Sequence, residues 1–135
     1  MITIVIPLYN KALSVKKTLE SVLNQSFKNF EILVINDGST DNSVSVVKSI
    51  ADHRIRIVEK QNGGVSSARN LGIREAKYNW IAFLDADDNW KSNHLQNIVN
   101  AIVNKTTEGF IATAFIQTKK SLEDYKVFSA QKEGL

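Results

Sequence analysis

The sequence has no cysteine and only one proline, Pro7, among its 135 residues. Without thiols the chain cannot build a disulfide framework or a thiolate metal site. No apolar run approaches the ~20 residues that a membrane-spanning helix needs. The apolar start at Ile2 has no basic leader before it, so no signal peptide is expected. We therefore expect a compact cytoplasmic domain.

An excess of charge of one sign is also missing. Seventeen Lys and Arg against fourteen Asp and Glu leave a net charge of +3. Proteins that bind nucleic acid usually concentrate basic residues in a patch or stripe, and a surplus this small does not indicate one. The length fits a single domain with a real hydrophobic core. Nucleic acid is therefore not expected as a partner.

Short apolar runs alternate with stretches of helical periodicity along the first 118 residues. The expected strands are 2–6, ended by Pro7, then 30–35, 55–58, 80–84 and 109–116. The expected helices are 12–25, 41–51, 65–76 and 95–103. The strands are continuously apolar, which is typical of strands buried on both faces. The alternation predicts an α/β fold over residues 1–118, a mostly parallel sheet with helices on both faces, and a polar tail over 119–135.

Two finer expectations concern packing. The helix at 65–76 carries small residues on one face, Ala68 and Gly72 among them, which would let it approach the sheet closely. Trp80 is expected in the core.

Polar residues gather where each of the first four strands is expected to end. These clusters are Tyr9-Asn10, Asn36-Asp37, residues 61–64 and residues 85–88. Ligands of parallel α/β sheets bind at the carboxyl ends of the strands. The four clusters therefore predict one site.

The acidic cluster suits a hard metal ion. Asp85 and Asp87 are two residues apart, so their carboxylates point the same way if the chain stays extended. Carboxylates without nearby His or Cys favour Mg²⁺ or Mn²⁺. The same residues would also serve as a solvated turn that caps the next helix. By itself the pattern leaves both interpretations open.

The other clusters are equally ambiguous one by one. Asp37 is an ordinary turn residue placed directly after a buried strand. Arg69 could pair with a pyrophosphate or lie on the surface. The ring of Tyr9 could stack on a base or be half-buried for packing.

Four motifs in order remove much of this ambiguity. They are IVIPLYN at 4–10, EILVINDGSTD at 31–41, NGGVS at 62–66 followed by ARN at 68–70, and FLDADD at 83–88. Together they closely resemble the amino-terminal half of the family 2 inverting glycosyltransferases, which have the Rossmann-like GT-A fold. The resemblance covers about residues 1–118.

The resemblance implies roles for the residues that would bind the nucleotide. Tyr9 lies near the base, with Pro7 shaping the same wall. Asp37 hydrogen-bonds the uracil or an equivalent base, and Arg69 reaches the nucleotide. Many relatives have Asp where this chain has Asn36, which leaves the pair one carboxylate short.

The resemblance also implies roles for the D-x-D motif. Asp85 lies near the ribose and is a second candidate metal ligand. Asp87 binds Mn²⁺ or Mg²⁺ on the diphosphate and so stabilises the leaving group, with Asp88 as a neighbouring contributor. The donor is expected to be a nucleoside-diphosphate sugar, UDP-linked.

The acceptor side has no counterpart that we can assign. In the resembling family an aspartate well after the D-x-D motif deprotonates the hydroxyl of a glycan or lipid-linked acceptor. Here only Glu108, Glu123, Asp124 and Glu133 follow the last expected helix, and none has the family's usual setting. We therefore expect a chain truncated before the acceptor-binding half, inactive or weakly hydrolytic alone. The parent enzyme would act in cell-surface polysaccharide synthesis, with peripheral association at the inner face of the plasma membrane through the missing region.

Three other functions share parts of the pattern. A dinucleotide-binding Rossmann domain needs G-x-G-x-x-G after the first strand, where this chain has Tyr9-Asn10-Lys11. A receiver-type signalling domain needs an acidic pair at that place, which this chain lacks. A non-catalytic nucleotide-sugar-binding module stays open because no catalytic base is identified.

Overall fold

The computed structural model describes residues 1–104. Its elements in chain order are β1 (Ile2–Leu8), α1 (Val15–Leu23), β2 (Phe30–Asp37), α2 (Ser43–Lys48), β3 (Ile55–Lys60), α3 (Val65–Glu75), β4 (Trp80–Phe83) and α4 (His94–Asn104). The strand expected at 109–116 and the boundary expected after residue 118 lie outside these residues. The expected alternation of strands and helices is confirmed over the part described.

The four strands of this part form one parallel sheet in the order β3-β2-β1-β4. The chain adds β2 and β3 on one side of β1 and then returns to add β4 on the other side. The strand order therefore reverses between β1 and β4. Such a reversal opens a crevice at the carboxyl ends of the strands, where ligands of α/β sheets bind.

The two central strands, β1 and β2, are covered on both faces, as their continuous apolar runs predict. Every residue of β1 and β2 is buried. On one face Val5, Leu33 and Ile35 pack with Ala68 of α3. A Cβ added at Gly72 would lie 2.3 Å from Cγ1 of Val5. The close approach of this helix to the sheet is confirmed, and glycine is what permits it.

The first helix buries the apolar stripe that its sequence predicts but is shorter than expected. The buried apolar residues are Val15, Leu19 and Val22. The helix begins at Val15 because residues 11–14 form a turn in which Ser14 N donates to Lys11 O at 3.1 Å. The second helix is likewise shorter than 41–51, since Asp41 accepts a hydrogen bond from Ser43 N at 2.9 Å and forms a turn before it.

Two expectations about the strands are wrong. Pro7 does not end β1 but lies within it, opposite Ile35 of β2. The register with β4 stops at Val5, so among residues 1–104 Pro7 has a strand neighbour on one side only, and the missing N–H is tolerated there. Trp80 is 37% exposed rather than buried, because β4 has a paired strand only on its β1 side in the described residues.

The chain divides into two compact units, Met1–Gln96 and Asn97–Leu135. The four described strands belong to the first unit, and so do α1, α2 and α3. Within residues 1–104 no helix combines the length and apolar character needed to cross a membrane.

Candidate functional site

A cavity of about 460 Å³ lies at the carboxyl edge of the sheet. It is lined by Pro7, Leu8, Tyr9, Lys11, Asp37, Asn62, Gly64, Val65, Ala68, Asp85, Ala86 and Asp87. These residues come from the carboxyl ends of β1 and β2 and from the segments that follow β1, β3 and β4. The sheet therefore brings the four expected clusters to one place, although five members of those clusters do not line the cavity: Asn10, Asn36, Gln61, Gly63 and Asp88.

The segment after β1 is fixed by its neighbour after β2. Asn10 has a positive φ of 51°, a conformation that Asn tolerates better than most residues. Its Oδ1 accepts hydrogen bonds from Thr40 N at 2.8 Å and Asp41 N at 3.3 Å. Its own N–H donates to Ser39 Oγ at 3.1 Å. This pinned turn places the adjacent Tyr9, 48% exposed, at the cavity.

Asp37 is buried, and both of its carboxylate oxygens are engaged. Oδ1 accepts hydrogen bonds from the Lys60 ammonium and from Gly63 N at 2.9 Å, and Oδ2 accepts one from Gly64 N at 2.8 Å. Burial by itself would raise the pKa of Asp37, but the hydrogen bonds and the Lys60 charge outweigh it and the pKa is lowered. Asp37 therefore lines the cavity as an anion that also holds the loop before α3.

That second role of Asp37 was not predicted from the sequence, and neither was Lys60. An alignment of the two strands would have predicted this pair, because Asp37 and Lys60 lie opposite each other in the parallel register of β2 and β3. Gly64 has φ 86°, which strongly favours glycine at this position. Asn36 does not line the cavity. Its Oδ1 accepts a hydrogen bond from Ser39 N at 3.0 Å and so stabilises the turn after β2.

Each aspartate of the D-x-D motif is paired with a cation. Arg69 donates from Nη2 to Asp85 Oδ1 at 2.7 Å, and its guanidinium lies 5.9 Å from the ring centre of Phe83. Lys11 donates from Nζ to Asp87 Oδ2 at 2.6 Å. The Asp85 and Asp87 side chains are 48% and 49% exposed. Lys11 was not singled out from the sequence.

The D-x-D segment does not stay extended as its spacing suggested. The strand ends at Phe83, and Asp88 N donates to Asp85 O at 3.0 Å, which closes a turn. Ala86 is buried at 2% exposure, while the carboxylates on either side of it both line the cavity. A turn, and not an extended chain, therefore brings the Asp85 and Asp87 carboxylates together at the cavity.

These residues fit a hard divalent cation. Two half-exposed carboxylates share the cavity, and residues 1–104 hold no group of three His, Cys, Asp or Glu that could bind a metal alone. Such a pair suits Mg²⁺ or Mn²⁺ that completes its shell with water and phosphate oxygens.

The acidic cluster also shifts the pKa of its neighbours. Burial and the charges of Asp87 and Asp85 raise the pKa of Asp88. The hydrogen bond and charge of Asp87 raise the pKa of Lys11, which stays cationic beside it.

Comparison with known proteins gives the same family that the motifs indicate. The sequence matches the model of Glycosyl transferase family 2 over residues 3–132. Glycosyltransferase GlyA of Streptococcus pneumoniae serotype 4 is 39% identical over 104 residues, which cover 76% of this chain and 15% of GlyA. The uncharacterised glycosyltransferase YibD of Escherichia coli K12 is 43% identical over 89 residues, covering 64% of this chain and 26% of YibD. The chain thus spans a minor part of the length of these relatives.

Solved structures share the fold. TarS residues 1–349 of S. aureus, in complex with UDP-GlcNAc, has a TM-score of 0.71 and 25% identity over 76% of this chain and 31% of that one. The mannosyltransferase PcManGT of Pyrobaculum calidifontis, in complex with GDP-Man and Mn²⁺, has a TM-score of 0.71 and 26% identity over 78% and 33%. The fold is accordingly the expected α/β GT-A type. Since the family match extends over nearly the whole sequence, the chain belongs to glycosyl transferase family 2.

Proposed function

We propose that this chain is the donor-binding half of a metal-dependent glycosyltransferase. The whole enzyme would move a sugar from UDP to a glycan or lipid-linked acceptor, with inversion at the anomeric carbon. One observation carries the proposal: a single cavity collects Tyr9, Asp37, Asp85 and Asp87 at the carboxyl ends of four parallel strands. Family membership and the nucleotide sugars held by TarS and PcManGT support it.

In this proposal the nucleotide base lies between the segments that follow β1 and β2. Tyr9 offers an exposed ring for stacking, and Pro7 gives the wall beneath it a fixed shape. Asp37 is held as an anion by three donors, yet a carboxylate has about four lone-pair sites and can accept one more hydrogen bond. The N–H of a uracil is a donor of the required kind.

The diphosphate lies beside the D-x-D segment, where two cations are already present. Lys11 and Arg69 are each half-exposed and can offer N–H donors to phosphate oxygens. Asp87, with Asp85 beside it, would hold the divalent cation. When bound, that ion supplies Lewis-acid stabilisation of the charge that grows on the departing phosphate.

The acceptor side is where this chain provides least. Inversion needs a carboxylate that takes the proton of the attacking hydroxyl from the face opposite the donor. The four carboxylates considered for this role, Glu108, Glu123, Asp124 and Glu133, lie outside the described residues. A lipid-linked acceptor would place the reaction at the cytoplasmic face of the plasma membrane. The relatives are glycosyltransferases, so a non-catalytic binding module is not favoured for the parent protein.

Titration calorimetry of the 135-residue chain tests the proposal. We expect UDP to bind at least tenfold more tightly with Mn²⁺ than after chelation with EDTA, and more tightly than GDP under either condition. The variant Asp87→Asn should lose the metal-dependent part of the affinity. Glu20→Gln, an equal charge change at an exposed position of α1, is the matched control and should bind as the wild type does.

Equal affinity after chelation would remove the metal from the proposal. Tighter binding of GDP would replace UDP as the donor nucleotide and leave the site where it is. Absence of binding to every nucleotide tested would reject the site itself.

A further inference from the structure

A stripe of four polar residues, two within α1 and one just beyond each of its ends, faces the chain segment after β4. Its members are Ser14, Thr18, Ser21 and Gln25. They are spaced i, i+4, i+7 and i+11, the spacing of one helical face. Thr18 and Gln25 are 1% and 0% exposed. Buried polar side chains require partners, and these find them in the segment 86–95.

Two hydroxyl groups of this stripe converge on one carbonyl. Ser14 Oγ and Thr18 Oγ1 each donate to Ala86 O at 3.0 Å. Ala86 is the middle residue of the D-x-D motif and is itself buried. The Ala86 carbonyl and the Asp87 N–H belong to one planar peptide group. The orientation of this carbonyl therefore constrains the direction in which the Asp87 side chain leaves the backbone.

The rest of the stripe holds the chain that follows. Ser21 Oγ accepts Trp90 N at 3.1 Å. Gln25 donates from Nε2 to Lys91 O at 2.7 Å and accepts Leu95 N on Oε1 at 2.9 Å. Between β4 and α4 this segment has no helix or strand of its own, so its backbone groups depend on such partners.

We propose that Ser14 and Thr18 are positioning residues for the D-x-D motif. By fixing the Ala86 carbonyl from behind, they set the direction of the Asp85 and Asp87 carboxylates toward the cavity. The inference rests on the proposed function, in which those carboxylates meet a divalent cation and a diphosphate. Neither hydroxyl touches the ligand, and the effect passes through the backbone.

If the Ser14 and Thr18 hydroxyls only stabilised the fold, their loss would lower stability and metal affinity together. The helix is already anchored by its apolar residues Leu19 and Val22, which are fully buried. Loss of the two hydroxyls should therefore leave α1 in place and free the turn at residues 85–88. The consequence is a loss of metal affinity without a comparable loss of stability.

The test compares three variants with the wild type by titration of UDP with and without Mn²⁺. Ser14→Ala/Thr18→Val, which keeps the shape of both side chains nearly intact, should weaken Mn²⁺-dependent UDP binding about tenfold, the lower end of the effect of losing outer partners of metal ligands. Binding of UDP in EDTA should not change. Thr18→Ser should bind as the wild type does, because it keeps the hydroxyl. Val22→Ala should lower the melting temperature and leave the Mn²⁺ dependence unchanged.

Amide hydrogen exchange separates this inference from the proposed function. The Asp88 and Trp90 amides should exchange faster in the double variant than in the wild type, whether or not any ligand binds. A wild-type chain without Mn²⁺ dependence would remove the metal from the proposed function, and faster exchange in the variant would still support the positioning role. Unchanged exchange, or an equal loss of Mn²⁺ dependence in Val22→Ala, would overturn the inference.

Discussion

At the residue scale, Asp37 has a structural role in addition to the nucleotide-binding role proposed for it. Its carboxylate satisfies the ammonium of Lys60 and the N–H groups of Gly63 and Gly64. Its side chain is 3% exposed and that of Lys60 16%. A residue at the end of a strand can therefore be as buried as one in the middle when the next loop folds over it.

Replacing Asp37 should affect both stability and binding. Asp37→Ala leaves a largely buried ammonium and two N–H groups without their acceptor, so we expect a loss of about 3 kcal/mol, toward the lower end for a broken buried pair. Urea unfolding measures this loss. Asp37→Ala/Lys60→Met removes the stranded charge and should regain part of the stability without regaining UDP affinity. Recovery of both would show that Asp37 serves the fold alone.

Lys11 occupies the carboxylate that the proposed metal would use. The pair is about half-exposed, and such pairs are worth ~0.2–1 kcal/mol. Lys11→Met should therefore tighten Mn²⁺ binding to the nucleotide-free chain by up to about fivefold, while it weakens UDP binding in EDTA because a phosphate donor is lost. Paramagnetic resonance of free Mn²⁺ gives the first quantity and calorimetry the second.

The control for this prediction is Lys16→Met, which removes an exposed lysine of α1 that pairs with Glu20 at 4.0 Å. It should change neither quantity. Weaker Mn²⁺ binding in Lys11→Met would mean that the lysine supports the metal site instead of competing for it.

Acid sensitivity has an identifiable source away from the site. The hydrogen bonds of Arg54 lower the pKa of Asp52 to about 2, against an opposing effect of burial. A carboxyl with a depressed pKa contributes stability above its unfolded value near 4 and loses that stability as the pH falls toward 2. We expect about 1–2 kcal/mol from this pair. Urea unfolding at pH 7 and pH 3 should show a smaller difference for Asp52→Asn than for the wild type; an identical difference would contradict the assignment.

At the scale of elements, the sequence predicts which helices and strands exist better than where they end. Strands β1 and β2 are recognisable because every residue in them must be buried. Their ends depend on contacts that no local pattern carries. Pro7 fits inside β1 only because β4 stops beside Val5, and that stop follows from the turn at Asp85.

The contact of α3 with β1 provides a prediction at this scale. Gly72→Ala would bring a methyl group to 2.3 Å from Cγ1 of Val5, so one of them must move. Overpacking of this kind costs ~1–3 kcal/mol, which should exceed the ~1 kcal/mol that alanine gains over glycine in a helix. Chemical denaturation should therefore show a net loss of stability.

A double-mutant cycle with Val5→Ala isolates the contact. In the background of Val5→Ala the methyl group has room, so Gly72→Ala should become neutral or stabilising. Ser66→Ala, an exposed substitution on the same helix, should be neutral in both backgrounds. Additive effects of the two changes would show that the contact is not the cause.

At the scale of the molecule, the location of the site could be predicted and its internal pairing could not. A parallel sheet brings its strand ends together whatever the loops contain, so four polar clusters in sequence were enough to predict one cavity. The ion pairs of Lys11 with Asp87 and of Arg69 with Asp85 join segments far apart in the chain. Such pairs depend on loop conformation, which the order of motifs does not specify.

The last prediction concerns what the chain can catalyse alone. The cavity carboxylates Asp37, Asp85 and Asp87 each pair with a cation of this chain, and the chain covers only 15% of GlyA. We expect the 135-residue chain to bind UDP-sugars and to release UDP slowly by hydrolysis, without dependence on an acceptor. General-base catalysis typically contributes ~10²–10⁴ in rate, and without an acceptor pocket the further gain from holding both reactants in place would also be absent.

A coupled assay for UDP release across several UDP-sugars, with and without simple sugar acceptors, measures this directly. The control is Asp87→Asn, which should abolish the slow hydrolysis if that hydrolysis uses the proposed site. Robust turnover that rises with acceptor concentration would contradict the prediction, because it requires a base within the chain. Glu108, Glu123 and Asp124 would then be the first residues to substitute. Since a general base and a bound acceptor together give the large rate increase, the size of the acceptor dependence distinguishes a donor-binding half from a complete enzyme.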